Sequence, residues 1–213
     1  GITHVKDRDF SALVAQAQQL EGFTEDEKPH HLDVGFGHAT VLSLADTIVK
    51  LVKDKQISRF FFIGGCDGSE GERSYFTKLA KETPKDSVIL TAGCGKYRFN
   101  HLPLGQLGDT GLPRVLDMGQ CNDSFGAVKV AMALAEAFET DVNGIPLSLA
   151  VSWFEQKAVA VLLTLLHLNV KNIRLGPALP AFITPNVLNI LVDNYGIKPI
   201  GNPKEDLKAM MTE

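Results

Sequence analysis

Cysteine occurs three times in this chain, each time in the same local setting. Cys66 in FFFIGGCDG, Cys94 in VILTAGCGK and Cys121 in VLDMGQCND each follow a strand-like run and sit in a glycine-containing turn before a helix-like segment. The interval is 28 residues from Cys66 to Cys94 and 27 from Cys94 to Cys121. That is close to one strand–helix–strand unit of roughly 30 residues. If the strands run parallel, all three thiols emerge at the carboxyl edge of one sheet, where open α/β folds place ligands. A fourth run, PLSLAVSW, carries Glu155 to the same edge, 34 residues beyond Cys121. Three thiolates and a carboxylate converging on one crevice read as ligands of a metal centre.

A single buried cysteine ordinarily behaves as a small hydrophobe. Packing, however, gives no reason for every cysteine to fall at a strand end after Gly or Gly-Gln. An odd cysteine count and βαβ-like spacing in 213 residues also argue against a disulfide framework. None of His4, His30, His31, His38, His101 and His167 has zinc-ligand spacing with the cysteines, and CxxC is absent.

The chain has 45% hydrophobic and 22% charged residues, the balance of an ordinary globular protein with a sizeable core. A net charge of −4 argues against non-specific nucleic-acid binding, which needs clustered Lys and Arg. No apolar run reaches the ~20 residues that span a bilayer, so no membrane association is expected. The opening GITHVKDRDF is polar and lacks both an apolar signal core and a methionine, which reads as a chain processed or cut from a longer one. Reduced thiols without a secretory signal point to the cytoplasm.

Residues 9–20 have the pattern of a short helix, and the charged EGFTEDEKPHHLD after them resembles a linker. The main domain is expected from residue 35 to 213, with 1–34 as an arm. Val41, Leu44, Ala45, Ile48, Leu51 and Val52 keep helical spacing and predict one helix to about residue 55. Strands are predicted at 59–64, 87–92, 114–118 and 146–151, with weaker candidates at 172–175 and 197–200. Helices are predicted near 73–81, 124–138, 155–168, 185–195 and 203–211. Continuous apolar strands such as FFFIG and LSLAV predict an α/β fold, an open, mostly parallel sheet with helices on both faces.

In CNDSFGAV, Asp123 or Ser124 could cap a helix and set Cys121 near its positive end, where the metal-binding thiolate is favoured. GGCDGSEGER could cradle a phosphate, although it matches neither the P-loop nor GxGxxG. Arg73, Lys96 and Arg98 would either neutralise an anionic cluster or form a solvated rim. Glu155 in SWFEQKAV fits a helix's first turn and equally an oxygen ligand. Lys157, two residues on, could donate protons beside a metal without entering its coordination sphere. His167, in LLTLLHL, reads as a core or helix-end residue.

GFGHATVLSLAD, FFFIGGCDG, PKDSVILTAGCGKYRFN, DMGQCNDSFGAVKVAMALAEAF and SWFEQKAVAVLLTLLHLNVKNIRLGPALPAF together resemble the hybrid cluster proteins, also called prismane proteins or hydroxylamine reductases. The likeness runs from Gly35 onward. It implies a Rossmann-like domain in which Cys66, Cys94, Cys121 and Glu155 are ligands of a hybrid iron–sulfur–oxygen cluster. Cys66 would be the family's persulfide position and Lys157 the lysine beside an open iron. The implied activity is reduction of hydroxylamine to ammonia and water, with nitric oxide as a second allowed substrate and a separate protein as electron donor.

Members of that family are longer. They add a helical N-terminal domain carrying a further iron–sulfur cluster and a middle domain supplying a histidine, a glutamate and another cysteine to the hybrid cluster. This chain resembles the last domain with the tail of the segment before it. Three thiolates and one carboxylate cannot satisfy a four-iron centre with mixed bridges, so other protein must complete it, and the 213 residues alone are expected to be inactive. The alternatives are a carbon monoxide dehydrogenase-like metalloenzyme domain and a cluster-free, non-catalytic α/β fragment. The WFEQKAV context, with an oxygen donor, suits an oxo-bridged iron site better than nickel.

Overall fold

A computed structural model describes residues 4–153 and 156–213. The chain divides into two compact units, Gly1–His31 and Leu32–Glu213. The first contains α1 (Ser11–Gln19), which buries none of its side chains.

The second unit is organised by six strands: β1 (Arg59–Gly65), β2 (Ser87–Thr91), β3 (Val115–Asp117), β4 (Leu147–Ser152), β5 (Ile173–Gly176) and β6 (Lys198–Pro199). Every neighbouring pair is parallel, and the order across the sheet is β3-β2-β1-β4-β5-β6. This is the doubly wound order in which the strand order reverses between β1 and β4, the place where such folds open a crevice. Strand register joins Phe60, Phe61 and Phe62 of β1 to Val88, Ile89 and Leu90 of β2 and to Leu147, Ser148 and Leu149 of β4.

The period-two alternation of β1 sorts the helices into two layers. Phe60, with Val88 and Leu90, packs with α2 (His38–Ser43), α3 (Ala45–Lys53) and α5 (Ser124–Ala137). Phe61, Ile63 and Ile89 face the other way, onto α4 (Ser74–Glu82) and α8 (Pro203–Met210). Leu149, Val151, Ile173 and Leu175 bury against α6 (Gln156–His167) and α7 (Pro185–Tyr195). Each large side chain fully buried in these layers contributes roughly 1.5–3 kcal/mol. This is the expected α/β architecture, with a mostly parallel open sheet covered on both faces. Among the described residues, no helix is long and apolar enough to cross a membrane.

Two local expectations are corrected. The single helix predicted to residue 55 is interrupted at Leu44, whose φ of −97° and ψ of 4° leave the helical range. Val41 from the first piece and Ile48 and Leu51 from the second are buried in one cluster. Packing both pieces on the sheet therefore overrides one continuous helix. The crossover from β2 to β3 holds no α-helix; Cys94 instead opens a short 3-10 turn, Cys94–Arg98. Buried Arg114 secures that crossover by donating to the carbonyls of Ser87, Leu104 and Pro84.

On the α8 side of β5, buried Arg174 donates to both carboxylate oxygens of Glu213 at 2.7 and 3.0 Å, and Lys198 adds a third contact at 2.7 Å. Arg174's hydrogen bonds, with help from Lys198, hold the Glu213 carboxyl at about 2 against its ordinary 4.5, although burial pulls the other way. A depressed carboxyl stabilises the fold fully above its unfolded value and loses that contribution as pH falls toward the folded one. Glu213→Gln should therefore lower the unfolding free energy at neutral pH, and the difference should close between pH 4.5 and about 2. Urea unfolding across that range measures it, and a gap independent of pH would contradict the assignment.

Candidate metal centre

Parallel strands deliver their following residues to a common edge, and the three cysteines lie there. Cys66 follows β1 directly, Cys94 opens the 3-10 turn after β2, and Cys121 opens the turn Cys121–Asp123 after β3. Cys94 is exposed, Cys66 and Cys121 are half-buried, and none is in a disulfide. The strands concerned are neighbours in the order β3-β2-β1, so the three cysteines follow adjacent strands, whose backbones lie about 4.8 Å apart. Glu155 and the predicted helix start at 155 lie outside the described residues. Lys157 is exposed in the first turn of α6, which follows β4.

Glycine lets these turns approach one another. Gly65 has φ of +110°, and a Cβ there would strike the Ser152 carbonyl; Gly93, at +83°, would strike the carbonyl of Gly65. The close approach extends the ladder beyond the strands. Gly65 donates to Ala92, Gly93 to Gly119, Cys66 to Ser152 and Trp153 to Gly176, at 2.8–3.2 Å. Backbone pairing thus continues into Cys66 itself and up to Gly93 and Gly119, just before Cys94 and Cys121.

Cations lock the turns further out. Arg73, wholly buried, donates through Nη1 to the carbonyl of Cys66 and to Ser152 Oγ, and through Nη2 to the carbonyl of Trp153 at 2.7 Å. It joins the exit of β1 to that of β4. Arg98 donates to Asp67 Oδ1 at 2.6 Å and to the Gly68 carbonyl at 2.9 Å, joining the Cys94 turn to the Cys66 turn. Lys96, buried, donates to Asp117 Oδ1 at 2.7 Å and to the Gly119 carbonyl at 3.0 Å, joining the Cys94 turn to the one before Cys121. One basic residue thus spans each neighbouring pair of turns. Arg73 and Lys96 are buried, so a solvated rim does not describe them.

Two smaller readings also change. Asp123 stands at the cap position of α5, but its carboxylate accepts from the Gln120 N–H at 2.8 Å instead of capping that helix. In the glycine-rich turn, Glu70 sits on Arg73 Nε at 2.6 Å, and that hydrogen bond holds the Glu70 carboxyl below its ordinary value. The turn therefore already holds an anion of its own. His167 is an exposed helix-end residue.

Among the described residues, no three His, Cys, Asp or Glu side chains close around a single ion. A row of soft thiols on successive strands instead suits a polynuclear centre, in which bridging sulfide spans irons that each take few protein ligands. The donor chemistry fits part of an iron–sulfur cluster. Cys121 also borders an apolar cavity of about 280 Å³ floored by Phe62, Leu90 and Leu149.

A sequence model of the Prismane/CO dehydrogenase family matches residues 1–208. The chain belongs to that family. It is 60% identical over 212 residues to a hydroxylamine reductase of Zymomonas mobilis, covering 99% of this chain and 38% of the relative. A hydroxylamine reductase of Moorella thermoacetica is 54% identical, with 99% and 49% covered. This chain thus spans less than half the length of these relatives. Carbon monoxide dehydrogenase IV from Carboxydothermus hydrogenoformans superposes with a TM-score of 0.67 at 18% identity, over 84% of this chain and 35% of that one. At that identity the likeness is one of fold.

The Lys96–Asp117 pair has both side chains about 95% buried. Removing one partner of a buried pair typically costs about 3–5 kcal/mol, because the other charge is stranded. Lys96→Met should show that loss in urea unfolding. Adding Asp117→Asn, which removes the charge yet keeps an acceptor for the Gly119 N–H, should recover most of it. An equally destabilised double variant would show that the buried charge is not the cause.

Proposed function

We propose that this chain provides the sheet-edge part of a hybrid iron–sulfur–oxygen cluster site in an oxidoreductase of the hydroxylamine reductase type. The observation that carries the reading is the row of three thiols at the ends of adjacent parallel strands, in a chain 53–60% identical to relatives named hydroxylamine reductase. Cys66, Cys94, Cys121 and Glu155 are the proposed ligands. The further ligands and a second iron–sulfur cluster come from the part of the relatives that lies outside this chain's span. The likeness to carbon monoxide dehydrogenases is confined to fold, and no feature of the site favours that activity.

When bound, the cluster supplies two electrons and an iron able to accept the N–O group. Hydroxylamine takes up those electrons with two protons and leaves as ammonia and water; nitric oxide is a second proposed substrate. The chain's own contribution is geometric and protic. The glycine turns and buried cations hold the thiols at fixed separations before metal arrives, so assembly does not require ordering the loops. Lys157, at the exposed start of α6, delivers protons toward the edge without occupying a metal position. An electron-donor protein and a reducing, cytoplasmic location complete the proposal, the latter suited to three thiols outside any disulfide.

Iron and labile-sulfide analysis of the full-length protein tests the reading, and absence of both would overturn it. In that protein Glu155→Ala should lose iron or change the cluster spectrum together with activity. Lys157→Ala should keep its iron while turnover falls about 100- to 10,000-fold. Equal loss of iron in both would make Lys157 structural, and near-normal turnover would remove it from proton delivery.

A further inference from the structure

We infer that Arg73 is a positioning residue, fixing the Cys66 turn against the exit of β4 and thereby setting how firmly the cluster is held. The inference rests on the proposed ligand role of Cys66. It starts from a problem of topology. After β1 the chain turns to α4 on one face of the sheet, and after β4 it turns to α6 on the other. The two exits therefore diverge where the crevice opens, and among the described residues the backbone contact that joins them there is Cys66 N–H to the Ser152 carbonyl.

Arg73 bridges that divergence. It stands in the 3-10 turn Gly71–Arg73 leading into α4, yet its guanidinium reaches across to Ser152 Oγ and the Trp153 carbonyl while holding the Cys66 carbonyl at 3.0 Å. Glu70 on Nε fixes the plane of the fork. A planar guanidinium can serve four acceptors in fixed directions, whereas an ammonium is a point donor on a flexible stem. Trp153 is also two residues before Glu155 in sequence. One side chain thus holds the backbone of Cys66 and that of Trp153 in a single frame. Partners that orient metal ligands typically change affinity by about 10- to 100-fold when replaced.

The test uses the full-length protein carrying Arg73→Lys, with Arg114→Lys as control. Arg114 is equally a buried, multiply bonded arginine, but its partners are Thr83, Pro84 and Ser87 at the start of β2 and Leu104 further along the crossover, with none of them in a cysteine turn. Iron retained against a graded chelator, the cluster's electron paramagnetic resonance spectrum and the unfolding midpoint are measured for each. Arg73→Lys is expected to release iron at about 10- to 100-fold lower chelator with an altered spectrum, and Arg114→Lys to lower only the midpoint. Should Arg73→Lys not fold, Ser152→Ala removes one of its acceptors and is expected to shift the spectrum and weaken retention in the same direction. Unchanged retention and spectrum in the folded Arg73 or Ser152 variant, or the same changes in Arg114→Lys, would overturn the inference. Unsubstituted protein without iron would instead overturn the cluster reading itself.

Discussion

A parallel sheet ends where its chemistry begins. Ladder hydrogen bonds fix strand separation only as far as the chain stays extended, and at the carboxyl edge each strand turns away toward a helix on one face or the other. Residues just past that point are where the proposed metal centre would need ångström precision and where the fold supplies least restraint. This protein meets the constraint by extending the ladder and then replacing it. Gly65 and Gly93 take backbone conformations closed to other residues, so that carbonyls and N–H groups of neighbouring turns still pair beyond the strands. Where pairing stops, Arg73, Arg98 and Lys96 cross the gaps.

The electrostatics of that frame are nearly closed. Arg73 is matched by Glu70, Arg98 by Asp67 and Lys96 by Asp117. Each of these pairs brings one positive and one negative charge. The frame's function is directional. The Arg98–Asp67 contact, with both side chains about a third exposed, adds little free energy, since exposed pairs contribute about 0–1 kcal/mol. Arg73 and Lys96 differ because their donors are buried and also reach main-chain carbonyls, where an unmade hydrogen bond costs about 1–3 kcal/mol. Specified geometry, more than net stability, is what buried polar groups of this kind provide.

Much of the fold was legible because local signals coincide with burial. The helix expected at 185–195 has the observed bounds, since Thr184 caps it, Pro185 starts it and Gly196 ends it in the left-handed conformation. FFFIG and LSLAV marked central strands because both of their faces are covered. Where signals and packing diverge, reading failed: helical spacing continues through Leu44, but two contacts with the core divide the segment. The cysteine turns were found by their glycines and spacing. Their clamps were not, because pairing of Lys96 with Asp117 or Arg98 with Asp67 joins residues 21 and 31 positions apart. Sequence displays the charges, while only the strand order decides which of them meet.

That strand order also explains why the donors form a row and not a shell. Turns following β3, β2 and β1 carry the three cysteines on adjacent strands at one edge of the sheet. Cys94, between the other two in the row, is the most exposed of the three. Among the described residues, no three such donors close around a single ion. A polynuclear centre accommodates the row because its own bridges supply the missing connections. In the proposed cluster site the remaining ligands would come from the part of the relatives that lies outside this chain's span, so this edge would be a platform for the cluster and not its container.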